Sequence, residues 1–340
     1  MNNRRNAAHF AGGVKTVLAE RYRDRLPITD STPIVSLGEG STPLVRAERL
    51  SARLGVEVFL KLESMNPTGS FKDRGMTVAV SKAVEEKAQA VICASTGNTA
   101  SSAAAYAARA GLPALILQPQ GAVASGKLAQ TRMYGARVLE VRGTFDEALA
   151  AAQELAERGT HALVNSVNPY RLEGQKTAAF EIIEELGRAP DVLALPYGGG
   201  GNTTAYGRGL LEGGSTIPRI LAVQASDRST TVASAIRIAQ PIHAEEVDEV
   251  VRRTEGAILT ASDEALLEAW RLLATEEGLF CEPASAASVA GLFATELEPG
   301  SRIVCVITGH GLKDPETAAR HSPQPAEVEP DPDAIAAAVA

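Results

Sequence analysis

From about residue 56 onward, short apolar runs rich in β-branched residues alternate with longer Ala-rich segments of helical period. The spacing predicts strands over Val56–Lys61, Ala90–Ala94, Ala114–Leu117, Arg137–Val141, Ala162–Asn165, Val192–Leu195, Ile220–Val223 and Ile303–Thr308. Helical segments lie between them, among them Asp73–Lys87, Thr99–Arg109, Gly126–Tyr134, Phe145–Arg158, Gly174–Leu186, Thr203–Leu211, Ser262–Glu277 and Ser285–Leu297. Strands that are apolar throughout, without alternation, are buried on both faces, and the intervening helices supply the cover. The chain is therefore expected to be α/β, with mostly parallel, doubly wound sheets. Eight or more strands in 340 residues suit two such domains better than one.

Outside this alternation the signals are weaker. Residues 1 to 13 read as loosely ordered, and Val14 to Arg25 as a short helix ended by Pro27. Pro33 to Leu37 reads as a strand leading into a tight polar loop, Gly38 to Leu44. Ala47 to Leu54 reads as a helix closed by Gly55. After about Pro315 the chain is rich in Pro, Glu and Ala and is expected to be disordered up to Asp333. The expected organisation is an N-terminal segment (1–60) on the larger domain, a small α/β domain (61–164), a large one (165–318) and a disordered tail (319–340).

Composition excludes several classes. With a net charge of −8 and a pI of about 5.3, nothing marks a nucleic-acid or anionic-membrane binder. No run of about 18 apolar residues is present to span a bilayer. The start, Met1-Asn2-Asn3-Arg4-Arg5, has charge but no apolar run behind it, unlike a secretory signal. Cys93, Cys281 and Cys305 are odd in number, lack CxxC spacing and sit among apolar or small residues, so they read as reduced core residues of a cytoplasmic protein. The five histidines lack ligand spacing, and no metal site is expected.

In open α/β sheets ligands bind beyond the carboxyl ends of the strands, so the segments following each strand carry the functional question. After the first core strand comes Asn66-Pro67-Thr68-Gly69-Ser70-Phe71-Lys72, a turn that delivers a lysine to the first turn of a helix. A cation there opposes the helix dipole; with desolvation this depresses the ammonium pKa and suits the amine to a Schiff base. A surface lysine just inside a helix is the alternative. After Val91–Ala94 comes Ser95-Thr96-Gly97-Asn98-Thr99, hydroxyls and free N–H groups at a helix start, fit for an anion or simply an N-cap. After Val192–Tyr197 come Gly198, Gly199, Gly200 and Gly201, then Asn202 and Thr203. Four glycines between a buried strand and a helix favour a backbone wrapped around a phosphate over a flexible connection. The absence of GxGxxG and of GxxxxGK[ST] argues against a dinucleotide fold and a P-loop. Asn165-Ser166 with Arg171 offers amides, a hydroxyl and a guanidinium to a carboxylate or phosphate, or forms a solvated loop. Thr308, at a buried strand end, is either a satisfied hydroxyl or a partner for a ring nitrogen.

GEGSTPL (38–44), NPTGSFKDRG (66–75), CASTGNT (93–99), NSVNPYRLEGQKT (165–177), CEPASAAS (281–288) and TGHGLKD (308–314) occur in that order. The set closely resembles threonine synthase, of the pyridoxal-phosphate fold type II (tryptophan synthase β-like) group, from about Ser36 to Asp314. The resemblance implies that Lys72 holds pyridoxal 5'-phosphate as a Schiff base and acts as general base. It further implies that Phe71 packs near the cofactor ring and that Asn98 bonds the 3′-oxygen. Gly198, Gly199, Gly200, Gly201, Asn202 and Thr203 would hold the phosphate, and Thr308 would face the pyridine nitrogen. Ser95, Thr96 and Thr99 would contact the substrate carboxylate or phosphate, and Asn165, Ser166 and Arg171 the substrate phosphate. The implied reaction converts O-phospho-L-homoserine and water to L-threonine and phosphate, in a cytoplasmic homodimer. Related readings are the same chemistry on another phosphorylated or β-substituted amino acid, as in a dehydratase or cysteate synthase, and an inactive regulatory paralogue. The chain departs from the family at the phosphate loop, usually Gly-Asn-Ala-Gly-Asn, where Gly199 and Gly200 replace Asn and Ala, and in a shorter segment from Ala225 to Thr231.

Overall fold

The computed structural model describes residues 17–121, 125–213 and 216–339. Ten strands form two sheets: β1 (Leu44–Arg46), β2 (Glu57–Lys61), β3 (Ala90–Ala94), β4 (Ala114–Pro119), β5 (Arg137–Val141), β6 (His161–Leu163), β7 (Val192–Pro196), β8 (Arg219–Ala225), β9 (Ala257–Ala261) and β10 (Arg302–Val306). One sheet has six strands in the order β1-β2-β10-β7-β8-β9, the other four in the order β5-β4-β3-β6. All neighbours are parallel except β1, which pairs antiparallel with β2.

Both faces of each sheet are buried, as the apolar runs require. In the larger sheet Val192, Ala194, Leu221, Val223, Ile303 and Cys305 pack into one core. Their alternating neighbours Leu193, Leu195, Ile220, Val304 and Val306 pack into a second core on the opposite face. The smaller sheet divides the same way, Val91, Cys93 and Ile116 against Ile92, Ala94 and Leu117. The three cysteines are free and buried. No helix of the described residues is long and apolar enough to cross a membrane.

Elements differ from the sequence reading where neighbours, rather than periodicity, decide. Pro33–Leu37 forms no strand. Instead the Val35 N–H donates to Ser81 Oγ (2.9 Å) and the Val35 carbonyl accepts from Thr77 Oγ1 (2.6 Å). The extended segment is thus satisfied by hydroxyls of the Lys72–Glu85 helix and lies as a strap across it. Edge strands β1 and β9 and the Ala244–Arg253 helix are additional; the edge strands are short and half-exposed, and their sequence signal is correspondingly faint. In the tail, helices over Pro315–His321, capped by Asp314, and over Pro332–Val339 replace the expected disorder at both ends. Asp331 Oδ1 accepts the N–H groups of Asp333 and Ala334 (3.1 and 3.0 Å), Pro332 opens the helix and alanines extend it. Residues 322–331 have neither helix nor strand. The readings of residues 1 to 13, and of a helix start at Val14, fall outside the described residues.

Two devices set the helices that carry the cleft. At the crossing of the Lys72–Glu85 and Pro169–Leu186 helices, a Cβ on Gly174 would lie 2.0 Å from the Arg74 carbonyl oxygen, and one on Gly75 2.5 Å from that of Arg171. Only glycine permits so close an approach. Beside it Arg74, fully buried, donates to both Glu63 (2.7 and 2.8 Å) and Glu181 (2.8 and 2.6 Å). Lys61 adds a second cation 3.1 Å from Glu181. Burial alone would raise the Glu181 pKa, but Arg74 and Lys61 hold it well below the usual carboxylate range.

Replacing Arg74 with methionine leaves two buried carboxylates short of a partner and is expected to lower stability by about 3–5 kcal/mol, read from urea unfolding of the cofactor-free protein. A native pKa below the unfolded value of 4.5 stabilises fully above that pH and progressively less as pH falls beneath it. The stability gap between Arg74→Met and the parent protein should therefore narrow in acid.

Candidate functional site

β10 lies between β2 and β7, so the segments leaving the carboxyl ends of these three strands meet side by side. They are the Lys72 turn, the Thr308 loop and the glycine loop. The Thr308 loop is laced to the Lys72 turn and to the segment that opens at Glu282. Phe71 N–H donates to the Thr308 carbonyl (3.0 Å) and His310 N–H to that of Gly69 (2.9 Å). On its other side Glu282 N–H donates to the Gly309 carbonyl (3.0 Å). The smaller sheet closes the cleft with the segments that follow β3 and β6.

Lys72 is the first residue of its helix and is half-buried. Gly69 N–H closes the preceding turn on the Asn66 carbonyl (2.8 Å). Asp73 then fixes the helix start, accepting the Thr68 N–H and hydroxyl and the Ser102 hydroxyl, each at 2.6 Å. Lys72 Nζ lies 4.2 Å from the centroid of the Phe71 ring and has no ion pair among the described residues. The surrounding protein, and secondarily the Arg171 cation, bring its ammonium from 10.5 down to about 7, against an opposing pull from Glu282 and Cys93. Burial and a neighbouring cation thus account for a depression that the sequence reading assigned to the helix dipole with desolvation.

The glycine loop joins β7 to the Gly201–Glu212 helix. Gly200 has φ +89°, and a Cβ there would come within 3.0 Å of Val247 and His243. Gly199 differs: a Cβ would meet only Ile238 Cδ1, at 3.5 Å, an ordinary contact. The helix start behind the loop presents Asn202 Nδ2 and Oδ1, Thr203 Oγ1 and Thr204 Oγ1, all buried and without a partner. Such groups cost about 1–3 kcal/mol each unless something satisfies them. With the free N–H groups of the helix start, they fit a bound phosphate. Asn98 Oδ1, buried beyond the end of β3, is likewise unpartnered. Thr308 Oγ1 lies 3.0 Å from Ser285 Oγ, which also accepts the Gly309 N–H (2.9 Å). An amine, a phosphate cradle, an amide and a buried hydroxyl are the donor set that pyridoxal phosphate uses, and the residues fit it.

The remaining expected residues fall into two groups. Arg171 is fully buried in the first turn of its helix, where Asn168 caps the Tyr170 N–H (2.9 Å) and Pro169 sits at the first position. Its Nη1 donates to the Val164 carbonyl (2.7 Å), while Nε and Nη2 have no partner. Burial pulls its pKa down to about 10, and it stays charged at neutral pH. Asn165, in contrast, spends its amide on β3: Oδ1 accepts the Ala94 N–H (2.9 Å) and Nδ2 donates to the Ala94 carbonyl (2.7 Å). One amide hydrogen remains for a ligand. Ser95 Oγ accepts the Gly97 N–H (3.1 Å), and Ser95, Thr96, Thr99 and Ser166 are half-buried.

Three residues at the site escaped the reading by sequence. Glu282 and Lys127 form a buried pair at 3.4 Å, and Glu282 was visible only as part of the CEPASAAS string. His243 packs on Gly200 and Gly201, and its Nε2 donates to the Ser166 carbonyl (3.1 Å), linking the glycine loop to the segment after β6. No spacing rule singles it out. No cluster of three or more metal-ligating side chains occurs among the described residues.

Residues 35–309 match the family described as pyridoxal-phosphate dependent enzyme. The chain is 51% identical to threonine synthase of Synechocystis sp. over 90% of its own length and 85% of that protein's. It is 49% identical to threonine synthase of Mycobacterium tuberculosis (strain H37Rv), covering 92% and 93% respectively. Among solved structures it resembles an L-serine ammonia-lyase from Rhizomucor miehei (TM-score 0.73, 22% identity, 83% of this chain and 99% of that one). Maize serine racemase gives a TM-score of 0.71 at 22% identity, covering 79% and 88%. At these identities the two structures bear on the fold alone.

Two outcomes follow from this geometry. Covalent attachment of pyridoxal phosphate to the cofactor-free protein should quicken with pH around a midpoint near 7, not 10.5, in stopped-flow absorbance, because only the neutral amine reacts. Gly200→Ala forces a side chain into left-handed backbone against two neighbours and should weaken cofactor retention by about 10-fold or more, whereas Gly199→Ala should leave it near the parent value in equilibrium dialysis.

Proposed function

The chain belongs to the pyridoxal-phosphate dependent enzymes, among the threonine synthases, and from that membership we propose that it converts O-phospho-L-homoserine and water to L-threonine and phosphate, with Lys72 as cofactor lysine and general base. The observation that carries the substrate assignment is Arg171: a buried guanidinium with two unpaired nitrogens, close enough to Lys72 to act on its charge. An unpaired buried cation calls for an anion, and bidentate guanidinium donors suit a phosphate.

In this reading Lys72 would hold the cofactor, Phe71 and Asn98 would bind beside it, and Thr308 would meet its ring nitrogen. Gly198 to Thr203 hold its phosphate. When bound, pyridoxal phosphate acidifies the Cα–H of the amino acid it carries by spreading the resulting charge into its ring. Lys72 Nζ, poised near neutrality, takes the Cα proton and then one from Cβ. Arg171, with the remaining amide hydrogen of Asn165 and the Ser166 hydroxyl, orients the substrate phosphate at Cγ for departure. Ser95, Thr96 and Thr99 receive the substrate carboxylate. Cγ then gains a proton and becomes the methyl group, water adds at Cβ with loss of its own proton, and Lys72 returns a proton to Cα. The hydroxyl of Thr308 need not protonate the ring nitrogen, in contrast to a carboxylic acid at that place. We further propose a cytoplasmic homodimer, divided into a small domain (61–164) and a large one (165–318) with residues 1–60 packed on the latter.

The test is one assay on purified protein. With O-phospho-L-homoserine the cofactor-loaded enzyme should release phosphate and L-threonine in equal amounts, and Lys72→Ala should abolish both the visible absorbance band and turnover. Arg171→Gln should keep the band and raise KM by about 10–100-fold, since it removes charge-assisted hydrogen bonds of about 1.5–3 kcal/mol. Phosphate release accompanied by keto acid in place of threonine would assign a related elimination, and a wild-type protein that takes up no cofactor would end the reading.

A further inference from the structure

Glu282 has no role in the assignments above, yet it is the carboxylate that faces Lys72. It is 1% exposed and lies at the entrance to a short 3₁₀ turn, Pro283–Ala286. Its side chain lies flat on the Thr308 loop: a Cβ on Gly309 would fall 2.2 Å from Glu282 Oε1, so that glycine is what admits the carboxylate. From the other side of the cleft Asn98 Nδ2 donates to Oε1 (2.9 Å) and Oε2 (3.2 Å), and Lys127 Nζ stands 3.4 Å from Oε2. Asn98 and Lys127 follow strands of the smaller sheet, whereas Glu282 precedes β10 of the larger one. The carboxylate therefore joins the two halves of the site.

A carboxylate only accepts, so it selects the rotamer in which the Asn98 nitrogen faces Glu282. That leaves Asn98 Oδ1 and one N–H for the cleft, and Oδ1 is indeed unpartnered. We propose that Glu282 is a positioning residue for the cofactor: it locks the Asn98 amide in one orientation and supplies the negative charge that favours a protonated nitrogen on Lys72. Of the groups facing Lys72, Arg171 repels a proton, whereas Glu282 and, more weakly, Cys93 draw one onto the lysine. Burial pushes the Cys93 thiol up to about 12, so it is neutral at physiological pH and the carboxylate is the standing negative charge. Lys127 and Lys313 face Glu282 as well, and Asp73 offsets Lys313. This inference rests on the cofactor reading given above.

The experiment is a pH titration of the visible absorbance band of the cofactor-loaded enzyme without substrate, paired with the Tm of the cofactor-free form. In Glu282→Gln the midpoint of the titration should fall by about 1 pH unit, the size expected for losing one nearby charge. Lys127→Met retains the carboxylate and should lower Tm without lowering the midpoint. Should Glu282→Gln fold poorly because Lys127 is left buried and unpaired, the double variant Glu282→Gln/Lys127→Met removes both charges and is held to the same shift. A wild-type midpoint in whichever Glu282 variant folds, or an equal fall in Lys127→Met, would make the residue structural only and overturn the proposal. A wild-type protein without a visible band would instead defeat the cofactor reading itself.

Discussion

The bonds from one buried arginine, Arg74, to Glu63 and Glu181 hold the rest of the site in register. Glu63 comes directly after β2, Arg74 lies two residues beyond Lys72, and Glu181 lies on the helix that begins with Arg171 in its first turn. One guanidinium thus ties the sheet, the lysine helix and the Arg171 helix at a point where Gly75 and Gly174 have already brought two backbones into contact. The surrounding hydroxyls and main chain are drawn in as well. Thr42 donates to Glu63 (2.7 Å), Lys61 donates to the Thr42 carbonyl (2.7 Å), and Ser41 N–H donates to Glu181 (2.7 Å). A buried ion network offers little net stability over an apolar core of the same shape. Its directional bonds, however, allow few alternative arrangements, and a site that must hold a lysine and an arginine apart without letting either pair has a use for that rigidity.

That separation is the electrostatic design of the cleft. Arg74 is neutralised by carboxylates on two sides, so its charge is not felt where the chemistry occurs. Arg171 and Lys72 have no such partners. Burial, and secondarily the Arg171 cation, brings the amine near neutrality, and burial without an ion pair leaves the guanidinium in need of an anion. The first condition suits an amine that takes and returns a proton at neutral pH, and the second suits an anionic guest. The same burial without the second cation would depress Lys72 less, and a carboxylate beside Arg171 would compete with any phosphate.

Much of this was legible in the sequence because strand burial and strand-end loops write themselves into local composition. Apolar runs gave eight of the ten strands, and the lysine turn, the Ser95–Thr99 segment and the glycine run each follow one of them. What was not legible depends on groups distant in the chain. Val35 reads as strand because it is β-branched and extended; that Ser81 and Thr77 satisfy its backbone is a fact about a helix more than 40 residues away. Asn165 reads as a ligand residue, and its clamp on Ala94 across 71 positions explains why most of its amide is already spent. Lys127 and His243 have no local pattern at all, and Glu282 has only its place in the CEPASAAS string; each is recognisable by what it faces.

The glycine loop shows how geometry divides a motif that composition treats as uniform. Gly200 is required by its backbone, since φ +89° and the crowding of Val247 and His243 leave no room for a side chain. Gly199 has neither constraint, for it looks toward Ile238 across an ordinary contact distance. The family's usual asparagine at that position is therefore absent for a reason other than folding. The polar groups without a partner on this side are those of Asn202, Thr203 and Thr204 at the helix start and two nitrogens of Arg171. Arg228, which stacks on Tyr197 with its guanidinium 4.6 Å from the ring and donates to the Gly198 carbonyl, stiffens the loop from behind. It comes from the segment after β8, so a cationic side chain braces the loop next to the position where Gly199 leaves room for a side chain.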